Sequence, residues 1–156
     1  MIVAVLDTTV LSNFAHIGQA ELLLDAFDQP CVTEVVIFEQ AEGVITGRLP
    51  YADWSRLPIV ELTVAEQQYA LELAEALGDG EATCLAVAVS RGWQIVTDDL
   101  TARRLGKSLG VSVSGTLGAL KNLMNAQIIT RAEGDALLSM MIAKGYHSPV
   151  QSLADV

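Results

Sequence analysis

Ile2-Val3-Ala4-Val5-Leu6 is apolar at every position and is followed at once by Asp7. A strand with one face in water alternates apolar and polar residues. A run without alternation reads as a strand covered on both faces, the signature of a parallel sheet between helical layers. Gln94–Thr97 is a second such run, and it ends on Asp98-Asp99. Further short strands are expected at Cys31-Val32, Ile59–Leu62 and Val111–Val113. Between them, helical patterns cover Thr9–Ile17, Glu21–Phe27, Thr33–Ile45, Thr63–Leu77, Glu81–Ser90, Leu100–Leu109, Gly115–Ala126 and Thr130–Lys144. Thr63/Glu66 and Thr130/Glu133 each carry the spacing of a capping box. Pro30 reads as a break, Gly78-Asp79-Gly80 as a turn, and the residues after Gly145 as a tail. The expected fold is therefore α/β, with three layers around a central parallel sheet of about five strands.

At 156 residues the chain is the size of one domain, and residues 1–156 are read as one. Hydrophobic residues make up 51% and charged residues 18%, which excludes a disordered chain. A net charge of −10 argues against nonspecific coating of nucleic acid, although it leaves room for an enzyme with a local basic patch. Cys31 and Cys84 lie far apart in apolar surroundings and read as buried free thiols. No signal-peptide pattern and no membrane-length apolar run is found, so a cytoplasmic location with no membrane partner is expected.

In open parallel sheets, ligands bind beyond the carboxyl ends of the strands, near the point where strand order reverses. Asp7, Asp98 and Asp99 fall at such ends. Glu39 follows Val35 and Val36 by four and three residues, which puts it on the apolar face of its helix. Glu81 precedes Cys84, Leu85 and Ala88 at helical spacing, so it heads a buried face. Each acid also has a plain explanation. Asp7 and one of Asp98 or Asp99 suit helix caps, Glu81 suits the dipole of a first turn, and Glu39 is exposed if the helix phase differs. Caps do not explain the whole set. Carboxylates converging with no interleaved lysine or arginine repel one another, and a divalent cation resolves that repulsion. Oxygen ligands without a Cys/His cluster favour Mg²⁺ or Mn²⁺ over zinc.

Four segments carry a family resemblance. Leu6-Asp7-Thr8-Thr9-Val10-Leu11-Ser12-Asn13, Thr33-Glu34-Val35-Val36-Ile37-Phe38-Glu39, Leu77-Gly78-Asp79-Gly80-Glu81-Ala82 and Val96-Thr97-Asp98-Asp99 resemble, in order, the four acidic motifs of PIN-domain proteins of the VapC-like toxin group. Gly-Glu stands in the third motif where Asp is commoner, and Pro30 sits slightly early for the proline that often precedes the second. Gly115-Thr116-Leu117-Gly118 matches one branch of PIN-like proteins. The resemblance implies a metal-dependent endoribonuclease acting on an RNA substrate, usually a homodimer whose groove is covered by an antitoxin protein. Asp7, Glu39, Glu81, Asp98 and Asp99 then become the catalytic acids, with Asp7, Glu81 and Asp98 or Asp99 as metal ligands.

Thr9, Ser12, Asn13 and Thr97 have hydroxyl or amide groups suited to orienting water or phosphate, and equally to turns and caps. Arg103, Arg104 and Lys107 form the densest basic cluster, read as phosphate contacts or as a solvated helix face. His16 and His147 are isolated and read as structural or surface residues. Trp54 and Trp93 read as packing residues. Two other readings stay open: a catalytically silent PIN-like binding module, favoured by the pI near 4.4, and a receiver-like domain, disfavoured because Ser114 rather than lysine follows the late strand.

Overall fold

The computed structural model describes residues 2–156. Its centre is a five-stranded, all-parallel sheet. The strands are β1 (Val3–Leu6), β2 (Gln29–Thr33), β3 (Ile59–Val60), β4 (Gln94–Val96) and β5 (Val113–Ser114), in spatial order β3-β2-β1-β4-β5. Ala4, Val5 and Leu6 are buried, as the unbroken apolar run requires. β1 pairs with β2 through Val5 and Cys31, and with β4 through Leu6 and Val96. The chain builds outward from β1 to β3 and then returns to lay β4 on the opposite side. The order therefore reverses between β1 and β4, the two strands that end on aspartates.

The helices are α1 (Thr8–His16), α2 (Ala20–Asp25), α3 (Glu34–Ile45), α4 (Val64–Leu73), α5 (Asp79–Arg91), α6 (Leu100–Ser108), α7 (Thr116–Asn125) and α8 (Arg131–Ala143). They flank the sheet in a three-layer α/β/α arrangement. α1 packs on α2 and α8, and α7 packs on α2 and α8; α4 and α6 pack on α5. α3 touches both α1 and α5. The core includes Phe14, Leu11, Leu23, Leu85, Ile95, Leu120, Leu123 and Leu138, all fully buried. Both capping boxes form, at Thr63/Glu66 and Thr130/Glu133. Cys31 and Cys84 are buried and free, and Trp54 is buried. Among the described residues, no helix is long and apolar enough to cross a membrane.

Several local expectations are corrected. Pro30 does not break a pattern; it lies inside β2 opposite Ala4, near the strand's start, where a missing N–H is tolerated. Gly78-Asp79-Gly80 is not a free turn. Gly78 is the N-cap of α5, and Asp79 and Gly80 form its first turn. β5 begins at Val113 rather than Val111. The buried stripe of α3 is Val36, Gln40 and Gly43, so Glu39 lies on its flank and is half-buried rather than central to it. Gln40 takes the inner position because its Nε2 donates to Thr8 O and Ser12 Oγ of α1. The final residues are no loose tail. Leu153 is buried in a 3₁₀ turn (Leu153–Asp155), and its N–H donates to Asp135 Oδ1 at 2.7 Å.

Candidate active site at the carboxyl edge of the sheet

At the switch point the N–H of Asp7 extends the β1–β4 pairing, donating to the carbonyl of Val96 at 2.9 Å. The Asp7 side chain is fully buried. It occupies the N-cap position of α1, yet it makes no side-chain cap. Its Oδ2 instead accepts from Thr97 Oγ1 at 2.7 Å and Thr9 Oγ1 at 3.1 Å. Its Oδ1 is buried with no hydrogen-bond partner. A buried oxygen without a donor is costly, and native structures rarely keep one without a reason. Burial, then the charge of Glu81, push the Asp7 carboxyl up to about 7; the hydroxyl bonds from Thr97 and Thr9, and the nearby backbone N–H of Thr8, oppose the shift.

Glu81 stands in the first turn of α5 and is half-buried. Burial raises its pKa, as do the charges of Asp99 and Asp79, while backbone N–H groups of Glu81 itself and Gly78 hold it down. Glu39 reaches the same centre from α3. Thr8 Oγ1 donates to its Oε1 at 3.1 Å. Burial raises its pKa against that bond, and Glu81, Asp79 and Glu42 raise it further. Space for the Glu39 carboxyl depends on Gly80, where an added methyl group would overlap Oε1. Thr33 Oγ1 meets Thr83 Oγ1 at 2.8 Å, and Thr83 Oγ1 bonds to Gly80 O, so the starts of α3 and α5 are tied beside this contact.

Asp98 and Asp99 part company after β4. Asp98 Oδ1 accepts from the N–H of Thr116, and its Oδ2 accepts from Thr116 Oγ1 and Asn13 Nδ2. Its own N–H donates to Thr9 Oγ1 at 2.9 Å. Asp98 thus fastens β4 to α1 and α7. Burial raises its pKa, and the bonds from Thr116 oppose that first. Asp99 caps α6 through Oδ2 to the N–H of Ala102 at 2.8 Å, and its charge acts on Glu81. Asp7, Glu81, Glu39 and Asp99 are therefore linked by their mutual repulsion.

They are not a closed cage. Among the described residues, no group of three His, Cys, Asp or Glu side chains is set close enough to hold a metal ion. Glu39 is held by Thr8, and Asp99 by the N–H of Ala102. The orphaned Asp7 Oδ1 nevertheless fits a divalent cation in the chemistry of its setting: a hard anionic oxygen, desolvated, with further carboxylates near.

The other expected residues divide. Thr9, Asn13 and Thr97 form the hydroxyl and amide lattice around the acids. Thr97 is buried and also accepts the Asp99 N–H. Arg103 NH1 is committed to Thr97 O at 2.8 Å and Ser114 O at 2.9 Å, and the residue borders the adjoining cavity. Arg104 and Lys107 are exposed on α6 and do not border it. The lining does include His16 and His147, together with Thr8, Lys144 and Tyr146. Sequence reasoning left the histidines aside, and no spacing links residues at opposite ends of the chain. Gly80 was legible only as part of a glycine pair flanking Asp79.

Comparison with curated proteins gives no match. A family profile described as "PIN domain" does match, and it aligns with residues 3–156. Because the alignment covers nearly the whole chain, from the first residue of β1 onward, the chain belongs to this PIN-domain family.

Proposed function

We propose that the chain is a Mg²⁺- or Mn²⁺-dependent endoribonuclease that hydrolyses phosphodiester bonds of RNA. PIN-domain membership generally indicates nuclease activity. The observation that carries the reading is Asp7: buried, unpartnered at Oδ1, and pushed up to about 7 beside Glu81. In this reading Asp7, Glu81 and Asp99 hold the cation, and Glu39 completes the acidic set. Asp99 takes the fourth place in preference to Asp98, whose oxygens are spent on Thr116 and Asn13. A bound divalent cation supplies a more acidic water and neutralises charge on the phosphate. Thr97 and Thr9 fix Asp7 through Oδ2 and leave Oδ1 for ligation. Thr8 orients Glu39. No covalent nucleophile is required.

The resemblance of the four acidic segments to VapC-like toxins extends the proposal to a cytoplasmic toxin, homodimeric, with an antitoxin protein covering the site. A fluorogenic single-stranded RNA is the direct test. Wild type should cut it with Mn²⁺ and stop when EDTA is added. Asp7→Asn should lose at least ~100-fold in rate, the scale of removing charge stabilisation from a transition state. A folded, Mn²⁺-loaded wild type that leaves a range of RNAs intact would instead favour the silent binding module.

A further inference from the structure

A cavity of about 930 Å³ opens beside the carboxylates, within the ~300–1,000 Å³ usual for ligand pockets. It shares two threonines with the acidic centre: Thr8, which donates to Glu39, and Thr9, which donates to Asp7. Its polarity differs from that of the chain as a whole. The protein carries a net charge of −10, with 9 lysines and arginines and 2 histidines. Both histidines, His16 and His147, border this cavity, together with Arg103 and Lys144. The two acids on its wall, Asp98 and Asp99, already accept bonds from Thr116, Asn13 and Ala102. Asp98 thus has both oxygens engaged and Asp99 one, on the side toward the acidic centre, while Lys144, His16 and His147 supply donors on the remaining wall. Tyr146 and Leu117 add an aromatic and an apolar surface.

The far wall is a built one. Gly145 adopts φ +111, a left-handed value that suits glycine, and turns the chain off α8. Tyr146 N–H donates back to Met141 O at 3.0 Å. Ser148 Oγ donates to Val150 O at 2.6 Å and accepts from the Val150 N–H. Leu153, buried beyond it, holds the other end. A short segment pinned at both ends carries Tyr146 and His147 to the cavity, beside Lys144 at the end of α8.

We propose that this cavity seats one nucleotide of a single-stranded RNA, its phosphate on Lys144, His16 and His147 and its base against Tyr146 and Leu117. Aromatic surface takes any base, while phosphate donors fix register along the strand. The inference rests on the ribonuclease reading and names where the strand beside the cut bond lies.

The test is binding in EDTA, where no cutting is expected. Fluorescence anisotropy of a labelled single-stranded RNA oligonucleotide should show Lys144→Gln and His147→Gln each weakening affinity about fivefold, with the salt slope of Lys144→Gln smaller by about one. Lys121→Gln, which removes the same charge from an exposed site on α7 outside the cavity, should stay within about twofold by the same charge-counting argument. Adenosine monophosphate should move the imidazole proton signals of His16 and His147 together and saturably. Equal loss in all three variants, or unmoved histidine signals, would overturn the seat. If the histidines respond and the cavity variants weaken binding, yet wild type with Mn²⁺ leaves RNA uncut, the seat stands and only the cleavage reading fails. If RNA is cut while both histidines stay silent, cleavage stands and the seat fails.

Discussion

The two oxygens of Asp7 live in unequal settings: Oδ2 has two hydroxyl donors and Oδ1 has none. That asymmetry makes a linkage prediction for metal-free protein. The carboxyl is raised from its ordinary 3.8 to about 7. Between those values the unfolded chain gives up the proton while the folded chain keeps it, so folding stability falls as pH rises through the window. Asp7→Asn removes the effect. In EDTA the variant should be more stable than wild type at pH above the window by roughly 2–4 kcal/mol, and nearly equal to it below the window. Urea titrations at the two ends check this; an identical difference at both would refute it. Gly80 makes the second prediction at this scale. Under the proposed function, Mn²⁺ bound among the acids should raise the melting temperature of wild type, and Gly80→Ala, which places a methyl where Glu39 Oε1 lies, should shrink that rise. Shortening the side chain with Glu39→Asp in the Gly80→Ala background should restore part of it, which a merely structural defect at Gly80 would not do.

Between elements, the clearest electrostatic joint lies away from the site. Glu66 of α4 accepts from Arg91 of α5 through both oxygens, at 2.8 and 2.9 Å, and from the N–H of Thr63. Arg91 also sits 5.0 Å over the Trp93 ring. The Arg91 hydrogen bonds, aided by the Thr63 N–H against the cost of burial, lower the Glu66 carboxyl to about 2. A depressed folded value contributes stability above the ordinary 4.5, and that stability is lost as pH falls toward 2. Glu66→Gln should therefore cost about 2 kcal/mol at neutral pH, allowing for the partly exposed Arg91, with the gap to wild type closing in acid. Thermal melts across that range measure it; a gap that persists in acid would deny the ion pair its role. The elements also show what local pattern can and cannot convey. The unbroken apolar run of β1 and both capping boxes were legible because each depends only on neighbours in sequence. The phase of α3 was not: Gln40 is inside because α1 offers it Thr8 O and Ser12 Oγ, partners supplied by the tertiary fold. Pro30 misled for a similar reason, since its tolerance depends on where in a strand it falls.

For the whole molecule, the order of the strands explains why acids so far apart in sequence share one neighbourhood. Reversal between β1 and β4 puts Asp7 and Asp99 on adjacent strand ends, and α3 and α5 deliver Glu39 and Glu81 over them. Asp7 was readable as an acid at a strand end and Glu81 as a charge heading an apolar helix face, whereas Glu39, read the same way, lies on the flank of the buried stripe of α3. The different settings of Asp98 and Asp99 were not readable, because Asp98 is engaged by Thr116 and Asn13, which lie elsewhere in the chain. The cavity's histidines were invisible for the same reason, being joined only by the way α1 and the end of α8 come together. The whole account turns on one hard cation among these acids. The most direct measurement is anomalous scattering from a crystal of wild-type protein soaked in Mn²⁺. A peak within bonding distance of Asp7 Oδ1, and absent in Asp7→Asn, is the predicted result. A loaded crystal with manganese only elsewhere, or none at the β1–β4 edge, would contradict it.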